Sequence, residues 1–384
     1  MLMQGKKGLI MGVANDRSIA WGIAKACANN GAELAFTYQN DKLKGRVEKL
    51  ANECDSDIIM PCDVSIDGSI NNMLDQLSSR WSEFDIIIHS LAFAPREELD
   101  GDFIDVDLLS ASQADAAGQR ALVVLLHGLC GSSSSSYILS LQRHLSKEGY
   151  SSIAMNFRGC SGDLNRRGKA YHSGVSDDLQ EVLNAVIETF NPHTISLVGY
   201  SLGANVLLKW LGEGRDYATI NRAVAVSTPF TLGLCSQAML SGAARLYGGY
   251  FTRRLLSDFL AKRRAFKQAG AADFDLLSEL GDMSHVSSIL DFDDAITAPL
   301  HGFRNASDYY ERCSSIHFLP RIAVPTLLIQ ASDDTLIPPA ALPDPSQLSA
   351  LTRLELSAKG GHVGFVSGRD SDWLEHRILR FLRD

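Results

Sequence analysis

The sequence predicts an α/β protein in two parts: a truncated βαβ segment, then a larger α/β unit carrying a helical cap. Three observations predict it. Short apolar runs alternate with helix-like stretches of roughly 10–15 residues, the pattern of parallel strands joined by crossover helices. A glycine-bearing turn, Gly12-Val13-Ala14, follows the first run. A second turn, Gly199-Tyr200-Ser201-Leu202-Gly203, follows a much later one.

The chain has 384 residues, longer than one ordinary domain. At 45% hydrophobic and 21% charged residues it excludes wholesale disorder and collagen-like repeats. A net charge of −9 argues against a nucleic-acid partner. No apolar window reaches the roughly 18 residues of a membrane span. Met1 to Lys7 leads straight into a strand-like run without the apolar core of a secretory leader. Seven cysteines (27, 54, 62, 130, 160, 235, 313) form no Cys-x-x-Cys pair, which suits a reducing cytoplasm better than disulfides or a metal site. The acidic surplus is uneven. Up to Val106, ten Lys and Arg face seventeen Asp and Glu, against twenty-six and twenty-eight in the rest.

In the first part, the run Lys7–Val13 breaks at Gly12 and gives way to a helical pattern over Ser18–Asn30. Runs at Ala32–Tyr38, Asp57–Cys62 and Phe84–Ala92 alternate with helical stretches at Asp41–Glu53 and Ser69–Trp81. Glycine and small residues after the first strand let backbone approach a pyrophosphate at a helix N-terminus, or simply make a tight turn. From Gly5 to Asp105 the segment resembles the start of an NADH-dependent enoyl-acyl-carrier-protein reductase, a short-chain dehydrogenase/reductase of Rossmann type. The resemblance rests on Gly12-Val13-Ala14 with Ser18-Ile19-Ala20, on Gly31 through Leu43, on Cys62-Asp63-Val64 and on His89-Ser90-Leu91-Ala92-Phe93-Ala94-Pro95. It implies an NAD site with Gly12, Ser18 and Ile19 at the pyrophosphate, Gln39, Asp63 and Val64 around the adenosine, and Leu91 beside the sugar. The family's Tyr-x6-Lys pair does not follow in that context; Tyr137, for instance, leads to His144. Less than half of a reductase is represented, so NADH binding is doubtful and reductase activity is not expected.

Asp100-Gly101-Asp102-Phe103-Ile104-Asp105 fits both parts and reads as a junction, a fusion of two genes or an assembly error. The domains are drawn at 1–106 and 107–384, with 107–120 a polar loop or linker. The second part runs through a strand at Ala121–Leu129 ending in His127-Gly128-Leu129, a helix at Tyr137–Glu148, a strand at Ser152–Phe157 and a helix at Asp177–Phe190. A strand over Thr194–Val198 leads into the Gly-x-Ser-x-Gly turn, and a helical pattern over Ala204–Glu213 follows. That context makes Ser201 a nucleophile on a strained strand-to-helix turn whose neighbours must be glycine. A serine hydroxyl needs a base, and the base an orienting acid, in the chain order Ser, Asp, His. The strand Pro325–Gln330 ends at Asp333-Asp334, and the strand Arg353–Leu356 leads to Gly360-Gly361-His362. Asp334 is the preferred acid, Asp333 its rival, and His362 the base. The backbone amides of Leu129 and Leu202 are the expected oxyanion donors, with His127 supporting its loop. No metal or organic cofactor is called for.

From Asp100 onward the chain resembles the YheT-like α/β-hydrolases, carboxylesterases similar to ABHD lipases. The matching pieces include His127-Gly128-Leu129, Asn156 through Gly162, Tyr171-His172-Ser173-Gly174, Gly199 through Asn205, Phe292-Asp293-Asp294, Asp308-Tyr309-Tyr310 and Gly360 through Phe365. The resemblance implies an α/β-hydrolase fold and the same triad. His172-x4-Asp177 has the spacing of an acyltransferase motif, or is a loop histidine before a helix start. Residues 231–312 are read as the cap, whose Leu240, Leu246, Phe251, Leu255 and Phe259 line an acyl pocket or form the cap's own core. The leading function is a serine esterase for a short-chain acyl ester or monoacylglycerol-like lipid, with a small-molecule partner only and the oligomeric state open. An NADH-dependent reductase-like protein is the alternative. A misassembled, poorly folding chain with an unfinished sheet edge is the non-enzymatic one.

Overall fold

The computed structural model describes residues 2–13, 15, 18–64, 66, 68–89, 104–109, 121–215, 218–365 and 372–383, the side chain of Ile19 excepted. The chain divides into two units, Met1–Asp100 and Gly101–Asp384.

In the first unit, strands β1 (Lys7–Met11), β2 (Glu33–Tyr38), β3 (Ile59–Pro61) and β4 (Ile86–His89) form a parallel sheet in the order β3-β2-β1-β4. Helices α1 (Ile19–Asn29), α2 (Asp41–Asn52) and α3 (Ser69–Ser78) join them. Alternate residues of each strand face opposite sides. Ile10, Leu34 and Phe36 pack with Trp21 of α1 and Val47 and Leu50 of α2. Leu9, Met11 and Ala35 pack with Met73 and Leu77 of α3. This is the two-faced burial that parallel strands require.

The second unit holds seven strands in the order β11-β10-β9-β8-β6-β7-β5. They are β5 (Val106–Leu109), β6 (Ala121–Leu126), β7 (Ser151–Met155), β8 (Thr194–Tyr200), β9 (Ile220–Val226), β10 (Thr326–Ala331) and β11 (Thr352–Ser357). All run parallel except β5, which lies antiparallel on β7 at the sheet's edge. The loop expected over 107–120 is therefore strand at its start. Val-Asp-Leu-Leu pairs Val106 with Met155 and Leu109 with Ser152, its four residues exposed as an edge strand's can be. Residues 110–120 lie outside the described residues.

Helices α4 (Ser136–Lys147), α5 (Ser176–Phe190) and α6 (Leu202–Gly212) follow β6, β7 and β8. The odd and even residues of β6 again separate. Leu122, Val124 and Leu126 meet α5 and α6, while Val123 and Leu125 meet α4 and the C-terminal helix Trp373–Arg383. Between β9 and β10 come α7 (Leu232–Ala238), α8 (Ala244–Ala269), α9 (Phe274–Ser278), α10 (Ile289–Phe292), a π-helical turn (Asp293–Thr297), α11 (Ala298–His301) and α12 (Ala306–Cys313). This cap has its own core around Phe259, Phe266, Leu277, Ile296 and Leu300. It is an α/β-hydrolase architecture with a helical cap, preceded by a short Rossmann-like sheet. The cap leaves and rejoins the sheet unit through one neck. Leu232 N–H donates to Ser314 Oγ at 3.0 Å, and Asn205 of α6 donates to the Cys313 carbonyl and accepts from Ser315 N–H.

Candidate active site

Strand β8 ends at Tyr200 and α6 begins at Leu202, so the whole reversal falls on Ser201, held at φ 51°, ψ −118°. A non-glycine residue in that region costs on the order of 1–3 kcal/mol. Its N–H donates to the Val226 carbonyl at 2.8 Å, one of the contacts that impose the geometry. The flanking glycines have steric causes. A Cβ at Gly199 would stand 2.7 Å from Ala204 Cα, and one at Gly203 would stand 2.5 Å from the His127 carbonyl oxygen.

His362 brings Nε2 to 2.9 Å from Ser201 Oγ and Nδ1 to 2.8 Å from Asp334 Oδ2. The Asp334 side chain is wholly buried. Its Oδ1 accepts the N–H of Leu336 at 2.9 Å and of Ile337 at 3.3 Å, and Gln330 Nε2 donates to Oδ2 at 3.3 Å. The rival Asp333 serves elsewhere. It accepts the Gly361 N–H at 2.8 Å, a bond that holds its carboxyl below the usual range and fixes the loop bearing His362. That loop is held further by the Val363 N–H on Ser227 Oγ. A Cβ at Gly360 would meet the Phe365 ring at 2.7 Å.

Leu129 and Leu202 line the same cavity as Ser201 and His362, a space of about 310 Å³. Among the described residues neither backbone N–H has an acceptor. The loop carrying Leu129 is fixed from behind. His127 Nε2 accepts the Phe157 N–H at 3.1 Å, so its Nδ1–H donates to the Gly128 carbonyl at 2.8 Å. Burial pushes the His127 imidazole down to about 4, which keeps it neutral and structural. Gly128 N–H donates to Tyr137 Oη, and a Cβ on Gly128 would approach Ser201 Cβ to 3.2 Å. The cavity wall is otherwise mostly apolar, with Met239, Phe251, Leu255, Ile289, Leu336 and Ile337.

In the first unit, Gly12 (φ +99°) follows β1, and Ser18 stands at the N-cap position of α1 with its hydroxyl donating to the Asn15 carbonyl. Gln39 follows β2 and Asp63 and Val64 follow β3, so these residues gather at the C-terminal ends of parallel strands, where such sheets bind ligands. Gln39 Nε2 donates to Asp63 Oδ2 at 3.4 Å, and Val64 is exposed. Leu91 lies outside the described residues, as does the side chain of Ile19. The residues present suit the adenosine side of a dinucleotide. The described sheet stops at β4, so no hydride step follows from it.

Residues 121–368 match the family described as alpha/beta hydrolase fold. The chain belongs to the α/β-hydrolase family. The hydrolase is 39% identical over 286 residues to the Escherichia coli (strain K12) protein named "Putative esterase YheT", covering 74% of this chain and 82% of that one. Residues 12–127 match the family described as enoyl-(acyl carrier protein) reductase. The enoyl-acyl-carrier-protein reductase FabI of Haemophilus influenzae is 54% identical over 103 residues, 27% of this chain, but the chain spans only 39% of that relative's length. Among solved structures, the esterase Pf2001 of Pyrococcus furiosus is 17% identical with a TM-score of 0.44, covering 77% of the hydrolase chain and 98% of its own.

Other expectations for the hydrolase divide. His172 and Asp177 form no bond with each other. The half-buried His172 imidazole has its ring centre 4.4 Å from that of His301 and is held well below its ordinary range by desolvation, whereas Asp177 pairs with Arg215 at the surface. Of the five apolar cap residues, Phe251 and Leu255 line the cavity and Phe259 belongs to the cap core. Leu240 and Leu246 do neither; they are 45% and 78% exposed, because they sit on outward faces of the cap. The sequence assigned no role to Asp293, Tyr310 or Asn205, although all three stood within motifs that matched. Among the described residues no group of three His, Cys, Asp or Glu could hold a metal ion, and no helix is long and apolar enough to cross a membrane.

Proposed function

We propose that this α/β-hydrolase is a serine esterase that cleaves carboxylic esters through an acyl-enzyme. The observation that carries the reading is the relay itself: Ser201 Oγ at 2.9 Å from His362 Nε2, whose Nδ1 lies 2.8 Å from the buried Asp334. Asp334 holds the proton on Nδ1, leaving Nε2 free to accept. As Ser201 Oγ attacks the ester carbonyl carbon, His362 takes its proton, and the oxygen of the tetrahedral adduct rests on the free N–H groups of Leu129 and Leu202. His362 then protonates the departing alcohol. Water, deprotonated by the same imidazole, releases the acid and restores the serine. The mostly apolar cavity of about 310 Å³ supports a short-chain acyl ester or a monoacylglycerol-like lipid as substrate. The relative named an esterase supports the same class.

The first hundred residues support a second reading, a reductase-like remnant that retains residues for the adenosine of NADH and lacks the Tyr-x6-Lys half. Incubating the chain with NADH and a crotonyl thioester separates the two. The primary test is fluorophosphonate labelling with mapping of the modified serine, together with p-nitrophenyl butyrate turnover by Ser201→Ala. Undiminished turnover, or a label on another serine, removes the esterase reading.

A further inference from the structure

The mostly apolar wall of the cavity that holds Ser201 carries a polar cluster remote in sequence from that serine. It is built where the cap widens into the π-helical turn Asp293–Thr297, a feature that recurs at functional sites. Thr297 Oγ1 donates to Asp293 Oδ1 and Tyr310 Oη donates to Oδ2, each at 2.7 Å, while Ser236 Oγ lies 3.1 Å from Tyr310 Oη. Both carboxylate oxygens are thus served as acceptors. Asp293 is packed round by protein yet keeps part of its surface open, and it lines the cavity.

No counter-charge accompanies it: among the described residues no Lys, Arg or His lies within ion-pair distance of Asp293. Burial pushes its carboxyl up to about 6, against the pull of its two hydroxyl donors, so it is ionised at neutral pH. A largely enclosed anion without a counter-charge is costly, and the cost falls when a cation arrives. The neighbouring wall is aromatic, with Phe292, Tyr309 and Tyr310 lining the cavity, and aromatic faces also attract ammonium groups. We propose that the cavity takes an ester carrying a positively charged nitrogen, with the ammonium seated against Asp293 and Tyr310 and the ester carbonyl at Ser201. The inference rests on the serine-esterase reading and names its substrate class. A purely structural Asp293, tying α12 to the π turn, would affect charged and neutral esters alike.

The experiment compares butyrylcholine with its neutral isostere, 3,3-dimethylbutyl butyrate, on the wild-type chain and on Asp293→Asn. The wild type is expected to favour the cationic ester by about tenfold or more in kcat/KM, and Asp293→Asn to bring the ratio within about twofold. A wild type without preference, a variant that keeps the preference, or a parallel loss on both esters overturns the proposal. Should the variant not fold, inhibition of wild-type p-nitrophenyl butyrate turnover by choline and by 3,3-dimethylbutanol decides; equal inhibition overturns it. Absence of Ser201-dependent p-nitrophenyl butyrate turnover removes the esterase reading and this inference together. Turnover without charge discrimination removes this inference alone.

Discussion

The two sheets of this chain obey the same rules and end differently. In the hydrolase unit, β6, β8, β9 and β10 each have a parallel neighbour on both sides, and helices cover both faces. In the first unit, β4 has one neighbour among the described residues, and its isoleucines lie half-buried or open, Ile87 at 57% exposure. Both units carry polar residues at the C-terminal ends of their strands. In the hydrolase those groups close on one another: Asp334 has four donors and His362 is held on both ring nitrogens. At the reductase-like edge, the contact between the expected adenosine residues is a 3.4 Å bond from Gln39 to Asp63. A motif can spell out half of a ligand site locally, but enclosing that ligand requires strands contributed from far along the chain.

The largest expected effect bears on which unit does chemistry. Ser201→Ala should lower kcat for p-nitrophenyl butyrate by at least about 10⁴-fold, while NADH consumption with a crotonyl thioester stays at background. Measurable NADH oxidation would break the comparison. Next, Asp334→Asn should cost roughly 10³–10⁴-fold in kcat by disturbing the tautomer, and Asp333→Asn less than about tenfold because it only braces the loop. Equal losses would reassign the acid.

Glycine substitutions sharpen the contrast in stability. Gly203→Ala should destabilise the hydrolase unit by on the order of 3 kcal/mol or more, since the new Cβ meets backbone, and thermal unfolding would read it. In α2, the space around Gly45 is open, so Gly45→Ala should instead stabilise the first unit by about 0.5–1 kcal/mol, the smallest effect of the series. Between these lies a pH effect. The Asp293 carboxyl titrates at about 6 in the folded chain against 3.8 ordinarily, so between those values the folded state holds a proton that the unfolded state has released. Stability therefore falls as pH rises from about 4 to about 7, by on the order of 2 kcal/mol. Asp293→Asn should flatten that limb of the Tm-against-pH curve; an unchanged slope would deny the buried anion.

The juxtaposition of Ser201, Asp334 and His362 was legible because each of the three sits where local chemistry leaves few choices. Ser201 needs glycine on both sides, Asp334 follows the apolar strand β10, and His362 follows β11, whose alternation of polar and apolar residues periodicity finds easily. The sequence preferred Asp334 to Asp333 by its spacing to Pro338, and the fold places Asp334, not Asp333, against His362. Strand β9 escaped notice because Ile220-Asn221-Arg222 opens it with polar residues, and β5 because its four residues are few, all exposed, and do not alternate. Leu246 was misread because α8 carries apolar residues on more than one face over 26 residues, and periodicity alone cannot choose which face looks inward. Asp293 was unreadable for a different reason. A π-helical turn leaves no spacing signature, and the charge matters only because a cavity opens beside it.

The neck of the cap has a consequence for how such a protein can change. One amide, Asn205, stands a single turn beyond Ser201 and binds the Ser173, Cys313 and Ser315 backbones, while Leu232 and Ser314 clasp the two ends of the insertion. Between those ends the insertion also binds the unit beneath: Asp273 accepts the Gly168 N–H, Tyr309 Oη accepts the Ser173 N–H, and Lys262 Nζ donates to Asn165 Oδ1. An exchange of the insertion must therefore carry these contacts with it, while Ser201, His362 and the strands beneath stay in register.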